Sequence, residues 1–330
     1  MRILLTGGLG FIGSSILKRL NERGERQIVI VDHLATSDKW KNIVGTFYED
    51  LFDMADLERV ATSGRFDMII HMGARTDTRE RDLGLLYRMN LATSRLLFMT
   101  AVQTSARFLY ASSAATYGDG SSGWSDTTAP TQLKPLNAYG FYKNVFDQWV
   151  MGQLNHPPQC LGFKFFNVYG PGEAHKGLMA SAVYHFYDEL IHGGRVQLFK
   201  SGRGDIADGC QRRDFIFIED AVKLVECGID DSRLNGLLNV GTGRAATFLD
   251  VVSALSAALG CEIKPEFIEM PLDIGGGYQY FSRAEITAGR VRNVPTMSLR
   301  EGVAAYCDAL TSEGGTVSRP CLGSTDREQY

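Results

Sequence analysis

Short apolar runs alternate with helical patterns over the first half of the chain. Strands are predicted where aliphatic, β-branched or aromatic residues cluster, at residues 2–6, 27–31, 46–48, 67–71, 107–112 and 161–165. Apolar residues that recur every three or four positions indicate amphipathic helices at residues 16–24, 54–61 and 83–104 and around Tyr139. Strands that alternate with helices predict an α/β fold with a Rossmann-type, doubly wound parallel sheet.

This alternation loosens after about residue 170, where loops lengthen and a glycine-rich stretch occurs at residues 275–277. We therefore expect two domains, with the chain crossing between them more than once. Residues 1–170 mainly form the predicted dinucleotide-binding domain, and residues 171–310 mainly form a smaller α/β substrate-binding domain. Residues 311–330 are polar and lack periodicity, which predicts a disordered tail.

Three glycines, Gly7, Gly10 and Gly13, lie between the first predicted strand and the first predicted helix. In that context glycines allow a tight turn, close approach of the backbone to a pyrophosphate, and close packing of helix on strand. The N-terminus of the helix adds unpaired N–H groups that favour phosphate. The pattern predicts a dinucleotide-binding loop.

The second predicted strand is followed by Asp32, which lies 19 residues after Gly13 (32 − 13 = 19). An acidic residue about 20 residues beyond the glycines typically bonds a ribose hydroxyl, which favours NAD. Lys39 and Lys41 follow in the next loop, and either cation could instead accept the 2′-phosphate of NADP. These residues leave the choice between NAD and NADP open.

Tyr139 and Lys143 are four residues apart at the start of a predicted helix, so their side chains share one face. A phenol is a poor acid or base at neutral pH, and a nearby ammonium is expected to lower its pKa. Ser113, at the end of a predicted strand, can hydrogen-bond a substrate oxygen beside Tyr139. The three residues predict a site for proton transfer.

Composition argues against several other classes of protein. A net charge of −4 over 330 residues gives no electrostatic case for binding nucleic acid or acidic membranes. The six cysteines form no Cys-x-x-Cys pair, so no metal site is expected. The first strand begins near residue 2, leaving no room for a signal peptide, and no apolar run reaches the ~18 residues of a membrane span. We expect a cytoplasmic protein.

Four motifs resemble the extended short-chain dehydrogenases/reductases that act on nucleotide sugars: residues 6–13, 111–118, 139–143 and 166–171. The block His-Lys-Gly-Leu-Met-Ala-Ser at residues 175–181 is similar to the ADP-glycero-manno-heptose 6-epimerase family, as are residues 213–215 and 239–243. The resemblance extends from residue 1 to about residue 310. It implies epimerisation of ADP-D-glycero-D-manno-heptose at C6 by transient oxidation and re-reduction, a step in lipopolysaccharide inner-core biosynthesis, by a homo-oligomer, often a pentamer.

The resemblance also implies roles for individual residues. Tyr139 and Lys176 would be the two acid/base residues, with Ser113 and Lys143 beside them; a phosphate clamp is the alternative for Lys176. Besides the three glycines, Asp32 and Lys39, the implied cofactor contacts are Phe11, Ile12, His33, Met72, Gly73, Ala74, Arg75, Thr76, Asn90, Tyr139, Lys143, Val168 and Lys176. The implied substrate contacts are Ser113, Asn167, Leu178, His185, Phe199, Arg213 and Tyr278. NADP is favoured, because Lys39 lies where the family places its 2′-phosphate lysine; Asn90 could equally be an ordinary polar helix residue.

Some positions depart from the family pattern. His33 replaces an asparagine, Leu178 replaces a serine, Arg75 and Asp77 replace small or hydroxyl residues, and residues 202–211 form a longer stretch than usual. The histidine weakens the expected contact with the 2′-phosphate, and the leucine weakens one expected hydrogen bond to the substrate.

Three other functions compete with this one. A 4,6-dehydratase carries an Asp-Glu pair after its catalytic hydroxyl residue, whereas Ala114 and Ala115 follow Ser113. A UDP-hexose 4-epimerase shares nearly every motif but requires nothing special at residues 175–181. A cofactor-sensing protein without enzymatic activity would be expected to lose Tyr139 or Lys143, and both are present.

Overall fold

The structure, a computed structural model, describes residues 1–271, 277–287, 289–291 and 294–312. Its strands are β1 (Ile3–Thr6), β2 (Ile28–Asp32), β3 (Asp50–Asp53), β4 (Met68–His71), β5 (Arg107–Ser113), β6 (Cys160–Phe165), β7 (Asn167–Tyr169), β8 (Gln197–Phe199), β9 (Arg212–Phe217), β10 (Gly236–Val240), β11 (Ala245–Thr247) and β12 (Glu266–Ile268). Its helices are α1 (Phe11–Glu22), α2 (Leu57–Ser63), α3 (Leu83–Leu86), α4 (Thr93–Thr104), α5 (Ala138–Met151), α6 (Ala182–Ile191), α7 (Ile218–Asp230), α8 (Phe248–Leu259) and α9 (Leu299–Ser312). A π-helical turn, Tyr87–Ala92, joins α3 to α4.

A seven-stranded parallel sheet forms the centre of the molecule, in the order β3-β2-β1-β4-β5-β6-β10. The first six strands have the order of the doubly wound dinucleotide-binding fold. Strand β10 comes from the second half of the chain and pairs with β6, with Gly236 opposite Leu161. The predicted α/β fold with a Rossmann-type parallel sheet is therefore confirmed.

Both faces of the sheet are covered by apolar residues. Along β1, Ile3 and Leu5 belong to a core cluster that includes residues of α1 and α7, whereas Leu4 belongs to a cluster with residues of α2, α4 and α5. All three side chains are fully buried. A parallel strand buried on both faces gives a continuous apolar run, which is why β1, β2 and β4 were visible in the sequence.

The strand predicted at residues 46–48 is wrong, since the third strand lies at Asp50–Asp53 instead. The backbone N–H of Phe47 donates to Asn21 Oδ1 (2.6 Å), and its carbonyl accepts from Asn21 Nδ2 (3.0 Å). The Phe47 ring is exposed beneath the Arg26 guanidinium. Side-chain hydrogen bonds thus satisfy this backbone in place of a neighbouring strand.

The remaining strands form two small sheets, β11-β9-β7 and β12-β8. The core cluster on the Ile3 face continues into this part of the chain through residues such as Val183, Phe215 and Leu255. The domain boundary near residue 170 therefore stays a prediction. No described helix is long and apolar enough to span a membrane.

The predicted tail began too early, because Thr311 and Ser312 belong to α9. In that helix, Thr311 and Ser312 donate their hydroxyls to the carbonyls of Cys307 and Asp308. Residues 313–330 lie outside the described residues, as do Gly275 and Gly276 of the glycine-rich stretch.

His71, at the end of β4, is buried between two hydroxyls. Its Nδ1 lies 2.6 Å from Thr6 Oγ1 and its Nε2 lies 2.9 Å from Ser94 Oγ. Burial, with a smaller effect of the Lys143 charge, lowers the pKa of His71 to about 3. The imidazole is therefore neutral in the folded protein at physiological pH.

We expect this histidine to make the protein less stable in acid. Between pH 6.5 and about 3 the unfolded chain binds a proton at His71 that the folded chain does not. Its contribution to the free energy of unfolding is present above pH 6.5 and falls by about 1.4 kcal/mol per pH unit within this window. Urea denaturation at pH 7 and pH 5 should show a loss of about 2 kcal/mol that a His71→Gln variant lacks. Equal losses in the two proteins would contradict this.

Candidate active site

The loop between β1 and α1 is built for close approach of the backbone. Gly7 has a φ of +70°, and a Cβ there would lie 2.5 Å from the Gly73 nitrogen. A Cβ on Gly13 would lie 2.1 Å from the Gly7 carbonyl oxygen. Helix α1 follows Gly10 with no side-chain cap, so its first N–H groups stay available to an anion. This cradle fits the pyrophosphate of a dinucleotide.

Asp32 lies at the end of β2 beside this loop. Its carboxylate accepts hydrogen bonds from the backbone N–H groups of Leu9 (2.8 Å) and His33 (2.7 Å) and from Lys39 Nζ (2.7 Å). Lys39 Nζ also donates to the His33 carbonyl at 3.1 Å. An acid and a cation thus meet where the ribose of the cofactor is expected.

Two cavities open at the carboxyl ends of the strands. The glycine-loop cleft, about 860 Å³, lies between the glycine loop and residues 175–182. The Arg213 cavity, about 690 Å³, is bounded by Phe199, Arg213 and residues 78–81. The residues that border both are Thr78, Ser113, Tyr139, Phe165, Phe166, Asn167 and Tyr278. A molecule in one cavity would therefore meet a molecule in the other at Ser113 and Tyr139.

Tyr139 and Ser113 come together because α5 starts beside the end of β5. Asn137 caps the helix, its Oδ1 accepting from the Gly140 N–H at 2.8 Å, and this holds Tyr139 in the first turn. The Tyr139 hydroxyl lies close enough to the Ser113 side chain for a hydrogen-bonding interaction to lower the pKa of Tyr139. Ser113 Oγ also accepts from the Ala115 N–H at 3.1 Å. The hydroxyl pair predicted from the sequence is thus assembled at the meeting point of the cavities.

The expected effect of Lys143 on Tyr139 is wrong. Burial raises the pKa of Tyr139 above its usual value, the hydrogen bond to Ser113 lowers it, and the charge of Asp147 raises it. Lys143 Nζ donates to the Ala111 carbonyl at 2.8 Å, and the ammonium is almost fully buried. Burial lowers the pKa of Lys143 to about 8, while Asp147 opposes this shift. Desolvation, the largest cause, therefore sets the direction of the shift at Tyr139.

Asp147, one helical turn beyond Lys143 on α5, was missed in the sequence. Its fully buried carboxylate accepts from Lys164 Nζ (2.8 Å), Ser112 Oγ (2.7 Å) and the Tyr110 hydroxyl (3.1 Å). Such a buried charge is tolerated because these donors satisfy it. The spacing of four residues from Tyr139 to Lys143 and from Lys143 to Asp147 could have indicated that Asp147 shares their face of the helix. The Asp147 carboxylate thus connects α5 to β5 and β6.

Lys176 reaches the glycine-loop cleft from a turn between β7 and α6, Ala174–Met179. Its Nζ lies 5.1 Å from the centre of the Phe11 ring and 3.7 Å from Glu173 Oε2. Burial lowers the pKa of Lys176, and Glu173 opposes the shift. Lys176 and Tyr139 thus border the same cleft.

Most of the predicted contacts line the two cavities. Those on the glycine-loop cleft are Gly7, Gly10, Phe11, Ile12, Gly13, Asp32, Lys39, Met72, Gly73, Ala74, Arg75, Thr76, Val168 and Lys176. Phe199 and Arg213 line the Arg213 cavity, and Ser113, Tyr139, Asn167 and Tyr278 line both. Their individual roles stay predictions.

Five of the predicted contacts border neither cavity within the described residues: Lys143, His33, Asn90, Leu178 and His185. Lys143 is turned into the protein by its bond to Ala111.

The other four residues lie away from the cavities for different reasons. His33 and Leu178 are exposed, Leu178 to 72 %. Asn90 is buried and bonds the backbone N–H (2.7 Å) and carbonyl (2.9 Å) of Arg75, so it supports the loop of residues 72–76 instead. His185 lies in α6 against the Tyr184 ring.

Two further residues near the site were not predicted from the sequence. Gln279 donates to the Gly118 carbonyl at 2.6 Å and borders the Arg213 cavity. Asn42 Nδ2 donates to the carbonyls of Leu9 (3.0 Å) and Gly172 (3.1 Å), joining the glycine loop to the turn that carries Lys176. Neither residue belongs to a pattern that the sequence makes visible.

A dinucleotide cradle that meets a second cavity at a Ser-Tyr pair defines an oxidoreductase-type site on a Rossmann fold. The chain belongs to the NAD dependent epimerase/dehydratase family, whose model matches residues 3–241. It is 43% identical over 314 residues to an ADP-L-glycero-D-manno-heptose-6-epimerase of Nitratidesulfovibrio vulgaris, covering 92% of this chain and 96% of that protein.

Solved structures agree with this placement. The crystal structure of the Helicobacter pylori ADP-L-glycero-D-manno-heptose-6-epimerase has a TM-score of 0.76 and 27% identity, covering 94% of this chain and 96% of that one. A Bacillus cereus UDP-glucuronic acid 4-epimerase, solved with UDP-glucuronic acid and NAD, has a TM-score of 0.77. At 22% identity, covering 95% of this chain and 100% of the other, it shows a shared fold.

Proposed function

We propose that the protein converts ADP-D-glycero-D-manno-heptose to ADP-L-glycero-D-manno-heptose by inverting C6. The observation that carries this proposal is the position of Lys176, which borders the same cleft as Tyr139. It supplies a second proton-transfer group, in a chain 43% identical to a named heptose epimerase.

Inversion at a carbinol carbon through a carbonyl needs hydrogen removed from one face and returned to the other. A nicotinamide cofactor, when bound, supplies the oxidation and the reduction. The carbonyl intermediate must rotate between the two steps to present its other face, so its oxygen occupies two positions. A proton donor or acceptor is needed at each, and Tyr139 and Lys176 are the two candidates on the cleft.

Ser113 and Arg213 are the residues placed to hold the substrate. Ser113 is placed to hydrogen-bond the oxygen that exchanges its proton with Tyr139. Arg213 is nearly buried and lies 4.9 Å from the centre of the Tyr278 ring, so a cation faces the Arg213 cavity. A guanidinium there suits the diphosphate of a nucleotide sugar.

Incubation with purified substrate tests the proposal. The protein should convert ADP-D-glycero-D-manno-heptose to a mixture of its two 6-epimers, separable by chromatography, while UDP-glucose stays unchanged. Turnover of UDP-glucose without turnover of the heptose would reject the heptose assignment and favour a hexose 4-epimerase.

We infer that NADP is the preferred cofactor, because Lys39 lies beside the ribose-binding acid Asp32. A Lys39→Ala variant should bind NADP more weakly by about 1.5–3 kcal/mol, roughly ten- to a hundredfold, because a charge-assisted bond to the 2′-phosphate is lost. Binding of NAD, followed by fluorescence titration, should change much less.

The neighbouring Lys41 provides a matched control. Its ammonium pairs with Asp38 at 2.8 Å and is largely exposed, so Lys41→Ala should leave both affinities unchanged. Tighter binding of NAD than of NADP by the unmodified protein would contradict the inference and leave Asp32 as the determinant through direct bonding to the ribose.

The assembly and the compartment stay predictions. Exposed apolar side chains on α3, α4 and α5 (Leu83, Met99, Phe141 and Met151) support a homo-oligomer, because isolated copies would leave them in water. The pentamer comes from the family resemblance, and the cytoplasmic location comes from the sequence. The sequence likewise indicates neither nucleic acid nor membrane as a partner.

A further inference from the structure

Glu173 is a buried carboxylate close to Lys176. It has no exposed surface, although it lies in a loop between β7 and α6. A fully buried glutamate is unfavourable unless its charge is paired and its oxygens are hydrogen-bonded. The surroundings of Glu173 therefore show what keeps it there.

The carboxylate joins the two ends of that loop, residues 170–181, which we name the lysine loop. Oε1 accepts from the Gly170 N–H (3.2 Å) and from Ser181 Oγ (2.7 Å), and Oε2 accepts from the Ser181 N–H (2.6 Å). Ser181 also caps α6, its Oγ accepting from the Tyr184 N–H at 3.2 Å. One side chain thus connects the end of β7 to the start of α6.

The same carboxylate faces the ammonium of Lys176. Oε2 lies 3.7 Å from Lys176 Nζ, and the Lys176 N–H donates to the Glu173 carbonyl at 2.9 Å. The ammonium also lies over the face of the Phe11 ring, at the first residue of α1. Lys176 is therefore close to both a negative charge and an aromatic face.

We propose that Glu173 is a positioning residue for Lys176, which closes the lysine loop and directs the ammonium into the glycine-loop cleft. The inference rests on the proposed function, in which Lys176 transfers a proton. Glu173 itself borders neither cavity within the described residues, so it acts through Lys176.

Other titratable groups of the described residues lie beside the Lys176 ammonium. His175 is its neighbour on the lysine loop, and beyond His175 lie Lys39 and Asp32 from the first βαβ unit. Burial lowers the pKa of Lys176, and Glu173 is the group that raises it. Removing the negative charge should therefore lower the pKa of Lys176 further.

Glu173→Gln keeps the shape and removes the charge. We expect kcat to fall by about ten- to a hundredfold with little change in KM, because a displaced Lys176 no longer meets the substrate oxygen. The kcat–pH profile should contain a limb that reports the titration of Lys176 and is absent in Lys176→Met. In Glu173→Gln this limb should move to lower pH. Ser181→Ala is the matched control, since it removes the hydroxyl's hydrogen bonds to Glu173 and to the Tyr184 N–H but keeps the charge of Glu173, so that limb should stay in place.

A direct titration separates this inference from the proposed function. The lysines of the full-length protein can be converted to ¹³C-dimethyl-lysine and followed by NMR, with the Lys176 signal assigned by its loss in Lys176→Met. Its midpoint should move to lower pH in Glu173→Gln and stay unchanged in Ser181→Ala. An unchanged midpoint in Glu173→Gln would overturn the inference, even if the protein epimerises the heptose.

A second variant covers the case in which Glu173→Gln does not fold. Glu173→Asp keeps the charge but is one methylene shorter, so it cannot reach both loop ends as glutamate does. It should lower kcat and move the Lys176 midpoint to lower pH, by less than glutamine. Failure of Lys176→Met to lower kcat would instead reject the role of Lys176, whatever the titration shows.

Discussion

Tyr139→Phe should lower kcat by about 10²–10⁴ while the protein folds and binds its cofactor normally, because the change removes a proton-transfer group and keeps the ring. The phenol borders both cavities, as does Ser113, so it is placed where substrate and cofactor would meet. Steady-state rates of heptose epimerisation measure the loss, and cofactor fluorescence measures binding.

The pH dependence of kcat should also report on Tyr139. Burial raises the pKa of Tyr139, so the phenol form predominates at neutral pH and the phenolate forms only at higher pH. The unmodified protein should show a limb in which kcat increases with pH, and Tyr139→Phe should lack it.

Tyr142→Phe is the matched control, since Tyr142 lies on the same helix and packs against the core cluster of the Leu4 face. It should keep full activity. A Tyr139→Phe variant of near-normal kcat would remove Tyr139 from the mechanism.

The central strands were predictable from sequence because burial on both faces leaves an uninterrupted apolar run, as in Ile3–Thr6 and Ile28–Asp32. The third strand was misplaced for the converse reason. Phe47 and Tyr48 are aromatic but exposed, and the strand itself begins and ends with Asp50 and Asp53. At the edge of a sheet, apolar character and strand position no longer coincide.

Within the site, the spacing of Tyr139 and Lys143 was visible, but the direction of the pKa shift of Tyr139 was not. That shift depends on desolvation by elements distant in sequence. Family resemblance located Asn90 and Leu178 near the site, yet it gives no side-chain direction. Asn90 bonds the backbone of Arg75, and Leu178 points into solvent.

Glu173 shows a further limit of reading the sequence. A glutamate in a loop is usually solvated, and only the fold reveals that this one is fully buried between the ends of the lysine loop. The three-residue spacing between Glu173 and Lys176 is compatible with either environment.

Lys176→Met should lower kcat strongly, by about 10²–10⁴, and change KM little if Lys176 is the second acid/base group, because such a group acts in the transition state. A phosphate clamp would give the opposite pattern, since uniform binding raises KM and leaves kcat nearly intact. The burial that lowers the pKa of Lys176 favours the first outcome, because it brings the ammonium closer to the range in which lysine exchanges protons.

Lys176→Arg separates the two roles more sharply than methionine does. A guanidinium keeps the positive charge and binds phosphate well, but it stays protonated and cannot act as a base. A clamp should therefore tolerate arginine, whereas an acid/base group should lose as much kcat as it loses in Lys176→Met. A Lys176→Arg variant with normal kcat, or full restoration of the rate of Lys176→Met by saturating substrate, would assign Lys176 to phosphate binding. Tyr139 would then be the sole proton-transfer group supported by the geometry of the described residues, and inversion at C6 would need another partner for the second orientation of the carbonyl.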